Sequence, residues 1–224
     1  MFREMGCRAT RGKRVLGLRG TRAVDVYVED FSNAPSATYL CECKHWKRRV
    51  TQTTVDAFVN VVAHTGANLG FIVSTNGAQR GAKLATKRSN VRVVTPQELQ
   101  ALFADRWVKN QGVKLQSLSQ ELTDLTASVG SRISAMSTDA GSARIHLKFR
   151  ECLALAMRTT ATATAVAFIL DGQAKLPGII PDSKTPGTSM VVDTVWGASA
   201  TAQRALTQAI RQLKLLRARL PRPQ

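Results

Sequence analysis

Two carboxylates and one ammonium group, on Asp25, Glu42 and Lys44, are predicted to meet on one pair of strands. Residues 23–29 alternate between apolar and polar side chains, residues 38–44 resemble a second strand, and turn-forming residues fill positions 30–36. In a hairpin closed by this turn, Asp25 lies opposite Glu42 with their Cβ atoms roughly 5 Å apart, and Lys44 lies on the same face. Carboxylates this close repel each other unless a cation lies between them. The pattern therefore predicts a site for a hard divalent cation.

Mg²⁺ suits such a site because it prefers oxygen ligands in an octahedron and is commonly held by one or two carboxylates together with water and phosphate. The main-chain carbonyl of Cys43, between Glu42 and Lys44, is a candidate third ligand. Lys44 would then stabilise charge on a phosphate or help to deprotonate an attacking water. The alternative for Glu42 and Lys44 is a surface ion pair, worth at most about 1 kcal/mol.

Helical and strand-like patterns alternate after this strand pair. They fall at residues 51–63 (helix), 69–74 (a continuous apolar strand), 81–87 (short helix), 91–94 (apolar strand) and 96–107 (helix, capped by Thr95). This order predicts an α/β fold with a central mixed sheet and helices on its faces. The alternation at 23–29 places Val24, Val26 and Val28 together on one buried face.

The ordered set of motifs resembles the catalytic domain of Mrr-like restriction endonucleases, within the PD-(D/E)xK nuclease superfamily. Asp25 followed by Glu42-Cys43-Lys44 at a strand end is similar to the D…ExK core of that superfamily. The later features come in the family's order: a basic and aromatic run, a helix, a Gly-Ala step, an apolar strand, a Gly/Ala-rich helix and a short apolar strand. Here they are KHWKRR, residues 51–63, Gly66-Ala67, Gly70 to Thr75, Gly81-Ala82-Lys83 and Val91 to Val94. The resemblance covers about residues 13–105.

The resemblance implies an αβββαβ core over residues 1–108 and a Mg²⁺-dependent DNA endonuclease, with Mn²⁺ as an alternative cation. It makes Asp25 and Glu42 metal ligands and Lys44 the catalytic lysine. It also makes Gln52 a candidate catalytic residue, because a glutamine at the start of the following helix reaches the site in some relatives. A solvated residue in the first helical turn is the alternative for Gln52.

Two departures from the family pattern keep a second function open. The family often has a Gly-Asp-x-Gly-x-Asp run that ends at the metal-binding aspartate, whereas residues 20–25 here are GTRAVD, without the first acid and the second glycine. Only residues 1–8 stand in place of a longer first helix, with Glu4 as the sole acidic candidate, so we expect a truncated helix and a metal that is one ligand short. The alternative is a catalytically inactive DNA-binding protein on a degenerate nuclease fold.

The charge of the chain indicates a nucleic-acid partner. There are 32 Lys and Arg against 15 Asp and Glu, a net charge of +17, and residues 111–224 alone hold 14 basic and 7 acidic residues. Beside the predicted site we expect DNA contacts from a basic run and a short helix, at His45, Lys47, Arg48, Arg49, Arg80 and Lys83. Solvated basic segments, and a genome that favours arginine, are the alternatives.

The second half contains no recognisable catalytic motif. We expect a hinge at 110–112, an amphipathic helical linker at 113–137 and a helix-rich α+β region of unknown role at 140–224. Apolar residues recur every three or four positions from Leu115 to Met136, which indicates either packing on the same domain or a homodimer through helix 115–136. The alternation from Arg144 to Arg150 predicts a strand.

Cysteine content and hydropathy indicate a cytoplasmic protein. The basic N-terminus has no apolar segment typical of a signal peptide, and the four cysteines, including Cys41 and Cys43, are interpreted as free thiols, this pair buried, in a reducing compartment. The most apolar stretch, residues 152–170, contains Arg158 and four threonines, which makes it too polar for a typical membrane span. We therefore expect no membrane association.

Overall fold

A mixed sheet of five strands forms the centre of the first of two units, Met1–Trp107 and Val108–Gln224, in this computed structural model. The structure describes residues 1–18, 20–32, 34–136, 140–174 and 178–220. Asn33 in the predicted turn, residue 137 in the predicted linker, and residues 175–177 and 221–224 in the C-terminal region lie outside the described residues.

The first unit has the predicted order of strands and helices. After a short 3₁₀ helix, Phe2–Met5, its elements are β1 (Arg8–Gly17), β2 (Gly20–Asp30), β3 (Ala37–Lys44), α1 (Gln52–His64), β4 (Leu69–Ser74), α2 (Arg80–Thr86), β5 (Val91–Val94) and α3 (Pro96–Leu102). The strands β1, β2 and β3 form an antiparallel meander, and β3, β4 and β5 are parallel. The α/β fold class is thus confirmed. The side chains of Thr95 and Glu98 form the predicted capping box at the start of α3.

One face of the sheet packs against α1 and α2, and the strand pattern is irregular beside the predicted site. Val24 lies in the core cluster, and Tyr27, three residues further along, packs against the same cluster, so the predicted regular alternation of Val24, Val26 and Val28 is wrong. The irregularity therefore falls at residues 25 and 26. In β1, Gly12 adopts a φ of 60° between the residues that pair with Val24 and Val26. A positive φ at this point suits glycine, which has no Cβ to clash with the main chain.

Aromatic rings and one ion pair cover the other face of the sheet. The rings of Phe2, Tyr39, Phe71 and Phe103 contact one another with centroids 5.5 to 6.2 Å apart. Arg106, at the start of α4 (Ala104–Ser134), binds both carboxylate oxygens of Asp30, whose side chain is 1% exposed. This contact fixes the beginning of α4 to the end of β2.

The second unit contains most of α4, then α5 (Ala140–Leu170), β6 (Gly178–Pro181), β7 (Ser189–Val192) and α6 (Val195–Ala218). The apolar stripe of α4 is buried inside this unit, with exposures between 0 and 6% at Leu115, Leu122, Leu125, Val129 and Ile133. The stripe is therefore not available as a dimer seam, and the prediction of a homodimer through helix 115–136 is not supported. The helix continues through residues 110–112 without a break, so the predicted hinge is wrong. The amphipathic helix predicted at 113–137 is the continuation of α4 as far as Ser134.

Residues 144–150 belong to α5, so the prediction of a strand there is wrong. Within the described part of the chain, one helical segment, Ser142–Leu170, has the length and mean hydropathy (1.6) of a membrane-crossing helix. The core helices of globular domains meet the same criterion, and 39% of the apolar window of this helix is buried inside the protein. Its length and composition alone are weak evidence for a membrane span.

Candidate active site

The strands β2 and β3 bring the carboxylate of Asp25 to the main chain of Cys43. The ladder between the strands ends at the pair Val26 and Cys41, and the same register continued by one step is the predicted pair of Asp25 and Glu42. At that step the ladder is replaced by a side-chain contact, in which Asp25 Oδ2 accepts a hydrogen bond from the Cys43 N–H at 2.7 Å. The irregularity in β2 and this hydrogen bond together fix the position of the carboxylate.

Glu42 and Lys44 form an ion pair at the C-terminal end of β3. Lys44 Nζ lies 2.6 Å from Glu42 Oε1, and the two side chains are 21% and 23% exposed respectively. Lys44 Nζ also lies 5.0 Å from the centre of the Trp46 ring, within range of a cation–π contact. The pair lines a cleft of about 470 Å³ between the strands and α1, together with Arg22, Ala23, Val24, Trp46, Thr53, Thr54, Ala57, Phe58 and Val61.

The pKa values of the Cys41 and Cys43 thiols reflect the burial and the charges around β3. Burial raises the pKa of the Cys41 thiol to about 12. Burial also raises the pKa of the Cys43 thiol, and the charges of Asp25 and Glu42 raise it further, against the opposite effect of Lys44. At Cys43 the negative charges of the two carboxylates thus outweigh the positive charge of Lys44, and this favours a cation nearby. Cys43 is exposed, so the prediction that both thiols are buried is wrong for this residue.

The donor set fits a hard cation that keeps several water ligands. One oxygen of each carboxylate is bound, Asp25 Oδ2 by Cys43 and Glu42 Oε1 by Lys44, and the second oxygen of each has no hydrogen-bond partner among the described residues. In the part of the chain that the structure describes, no cluster of three or more His, Cys, Asp and Glu residues is placed to hold a metal ion. Glu4, the further acidic candidate, accepts a hydrogen bond from Trp107 Nε1 at 3.3 Å. Two carboxylates with water and phosphate are within the usual range for Mg²⁺.

The structure does not bring Gln52 to the cleft. Gln52 is the first residue of α1, and its side chain lies against α2, where a methyl group built on Gly81 would be 2.8 Å from Gln52 Oε1. Thr53 and Thr54 line the cleft from the same turn of α1.

Arg22 is the cleft residue that sequence reasoning missed. It lines the main cleft with Glu42 and Lys44, and it also lines an adjoining cavity of about 330 Å³ bounded by Gly17, Gly20, Asn60 and His64. A regular strand would have placed Arg22 and Asp25 on opposite faces, so the predicted alternation gave no reason to place Arg22 beside the predicted site.

The order of strands and the position of these residues agree with the comparison of the sequence with protein families. Residues 1–103 match the restriction endonuclease family Mrr_cat. The matched segment contains β1 to β5, α1 to α3 and all of the candidate active-site residues. It ends close to the boundary between the two units, so the match lies within the first unit, which is called the restriction endonuclease domain for this reason. The family match supports a nuclease of the restriction type.

Similar solved structures include two proteins. One, the protein of unknown function AF1548, is 15% identical with a TM-score of 0.37 over 42% of this chain and 51% of its own. The other, MspJI restriction endonuclease in complex with a 27-mer oligonucleotide, is 20% identical with a TM-score of 0.30 over 49% of this chain and 24% of its own. This chain therefore spans about half of the first protein and a quarter of the second. No curated protein matches the sequence.

Two loops of the restriction endonuclease domain bring its basic residues to one edge of the sheet. The parallel strands β3 and β4 end together at Lys44 and Ser74, and the loops that follow them are joined by a bridge between Val50 and Ala78. Asn76 Nδ2 donates a hydrogen bond to the Trp46 carbonyl at 2.5 Å. The residues predicted to contact DNA, His45, Lys47, Arg48, Arg49, Arg80 and Lys83, are all exposed on these loops or on the short helix α2.

Proposed function

We propose that this protein is a metal-dependent DNA endonuclease of the Mrr-like restriction group. The observation that carries the proposal is the position of Asp25, whose carboxylate is bonded at 2.7 Å to the main chain between Glu42 and Lys44. Two carboxylates and a lysine are thereby brought together on two neighbouring strands, and Glu42 and Lys44 line a cleft within the restriction endonuclease domain. This combination suits phosphodiester hydrolysis, in which negative charge develops on a phosphate that must be approached by water.

Asp25 and Glu42 are the proposed ligands of Mg²⁺ or Mn²⁺, with the main-chain carbonyl of Cys43 as a third oxygen. Their free carboxylate oxygens and the negative field around Cys43 support this assignment. When bound, the cation would supply Lewis-acid polarisation of the phosphodiester and lower the pKa of water.

Lys44 is proposed to bind the scissile phosphate. Its ammonium group is held by Glu42 on one side and by the face of the Trp46 ring on the other, which restricts a side chain that is otherwise flexible. An ammonium group fixed beside the reacting phosphate would stabilise the charge that develops in the transition state. Trp46 is thus a positioning residue for Lys44.

DNA is the proposed substrate because the cleft opens beside a concentration of positive charge. The exposed cations of the two joined loops lie at the same sheet edge as Lys44, where a phosphate backbone must lie for cleavage. Arg48 also stacks on the Trp46 ring, with its guanidinium carbon 5.5 Å from the ring centre. We propose that these residues hold the backbone on either side of the scissile bond.

Cleavage of supercoiled plasmid, methylated and unmethylated, tests this proposal. We expect nicking or linearisation with Mg²⁺ and none with EDTA. Glu42→Gln and Lys44→Ala should each lower the rate by about 10²–10³-fold, the effect expected when a charged group that stabilises the transition state is removed. Glu29→Gln, a matched removal of one carboxylate elsewhere in β2, should cleave at the wild-type rate.

The outcomes separate the two functions that the sequence leaves open. Cleavage that persists in Glu42→Gln and Lys44→Ala, from a preparation free of other nucleases, would exclude these residues from the mechanism. Gel retardation of DNA without any cleavage in Mg²⁺ or Mn²⁺ would instead establish an inactive DNA-binding protein on this fold.

A further inference from the structure

The second unit contains a cationic groove that the nuclease site does not use. It lies between α4 and α6, has a volume of about 500 Å³, and carries Lys114 from α4 and Arg204 and Arg211 from α6. All three side chains are exposed. Gln203, Thr207 and Gln208 provide the neutral polar groups of the same groove.

The walls of the cationic groove are held at both ends. At one end, the buried Gln111 of α4 accepts hydrogen bonds from Ser199 and Gln203 of α6, at 3.1 and 2.6 Å. At the other end, Glu121 of α4 forms an ion pair with Lys214 of α6 at 2.6 Å. Side-chain contacts therefore join the two helices on both sides of the groove.

The cations of the groove have no paired carboxylate in the described part of the second unit. Among the residues that the structure describes, no carboxylate forms an ion pair with Lys114, Arg204 or Arg211. The guanidinium of Arg204 donates a hydrogen bond to the hydroxyl of Thr201, at 3.3 Å. Glu121, the acidic residue of α4 next along the groove, is already bound by Lys214.

The spacing of the positive charges along the groove indicates the shape of the ligand. Arg204 and Arg211 are seven residues apart on one helix, which separates their Cα atoms by about 10 Å along the axis. Cations spaced along a groove in this way suit an extended chain of phosphates, which passes each of them in turn. Glutamine and threonine side chains are typical donors to phosphate oxygens in protein–DNA contacts.

We propose that the cationic groove, formed by Lys114, Arg204 and Arg211, binds the phosphodiester backbone of DNA. The site is separate from the restriction endonuclease domain, and it gives the second unit a role in holding DNA. Its recognition is of the backbone and independent of base sequence, because its groups are cations and neutral donors suited to phosphate oxygens.

Salt dependence of DNA binding by the full-length protein tests this inference. Binding to a labelled duplex is measured in EDTA, where cleavage is absent, at several salt concentrations. Neutralising two phosphate contacts in Arg204→Gln/Arg211→Gln should lower the slope of log Kd against log salt by about 2. The control pair Arg144→Gln/Arg217→Gln removes the same charge from exposed positions that do not line the groove, and its slope should match the wild type.

Each result of this experiment decides the matter. A slope that is unchanged in Arg204→Gln/Arg211→Gln, or lowered equally in the control pair, would show that the cationic groove is not a DNA site. Loss of binding to vesicles of anionic phospholipid, with DNA binding unchanged, would assign the groove to a membrane surface and overturn the proposal. Because the binding assay needs no cleavage, its result is independent of whether the nuclease mechanism is correct.

Discussion

At the scale of single residues, Arg22 has the most informative position. It lines both the cleft of Glu42 and Lys44 and the adjoining cavity, so a ligand that extends from one to the other must pass its guanidinium group. A hydrogen bond between Arg22 and a phosphate is charge-assisted, which is worth roughly 1.5–3 kcal/mol. We therefore expect Arg22 to orient the substrate rather than to take part in the chemical step.

Substitution of Arg22 by Gln should lower kcat/KM for DNA cleavage by about 10- to 100-fold, the equivalent of one charge-assisted hydrogen bond. Steady-state cleavage of a labelled duplex measures the effect, and circular dichroism checks the fold. Arg92→Gln, at an exposed position of β5, is the charge-matched control and should leave the rate unchanged. A wild-type rate in Arg22→Gln would mean that the DNA does not cross this part of the cleft.

The pairing of Asp25 with Glu42 could be predicted, because it depends on strand register alone. Asp25 and Glu42 follow from the symmetry of a hairpin about residues 30–36, and the observed ladder has that register. Arg22 and Gln52 could not be placed in the same way. The position of Arg22 depends on an interruption of the regular strand pattern. The position of Gln52 depends on Gly81 of α2, because the Gln52 side chain lies against it.

At the scale of secondary-structure elements, the contact between Asp30 and Arg106 joins β2 to α4. Asp30 also accepts hydrogen bonds from the hydroxyl groups of Ser32 and Tyr39, at 2.7 and 3.0 Å. The hydrogen bonds of Arg106 hold the pKa of the Asp30 carboxyl well below its ordinary range, against the opposing effect of burial. The ion pair is therefore present in the folded protein even at mildly acidic pH.

The direction of this pKa shift predicts how stability depends on pH. Because the folded-state pKa of Asp30 is lowered, its contribution is complete above the unfolded-state pKa of about 4 and is lost as pH falls below that value. Asp30→Asn should lower the free energy of unfolding at pH 7 by about 3 kcal/mol, since Arg106 loses its partner. The deficit should shrink as the pH of a denaturant titration is lowered below about 4.

Glu29→Gln removes a carboxylate from the adjacent, partly exposed position of β2 and serves as the control, with little expected change in stability. A constant difference between Asp30→Asn and the wild type at every pH would contradict the assignment of the pH dependence to this ion pair.

Periodicity alone was ambiguous for α5. Ile145, Leu147 and Phe149 alternate as in a strand, but Ile145 and Phe149 are also four residues apart, which suits one face of a helix. In the structure Leu147 is 58% exposed, whereas Ile145 and Phe149 are partly buried, and Phe149 lies close to Gly130 of α4. The choice between the two structures depends on packing against α4, which a local pattern does not contain.

At the scale of the whole molecule, positive charge is concentrated on surfaces of both units. The loops after β3 and β4 carry it in the restriction endonuclease domain, and the cationic groove carries it in the second unit. A net charge of +17 opposes a compact fold through self-repulsion and favours a polyanionic partner that relieves it. The composition could predict this partner class, but it could not locate the second surface, which depends on the pairing of α4 with α6.

If both surfaces hold one DNA duplex, their contributions to its binding should add. Arg48→Gln/Arg49→Gln should lower the slope of log Kd against log salt by about 2, and combination with Arg204→Gln/Arg211→Gln by about 4, because each cation releases its own counterion. Titration of a labelled duplex in EDTA measures both slopes. Combination of Arg48→Gln/Arg49→Gln with the pair Arg144→Gln/Arg217→Gln should leave the slope lowered by only about 2. A quadruple variant that loses no more than either pair would show that the surfaces bind DNA alternately, and the second unit would then not help to hold the duplex that the first unit cuts.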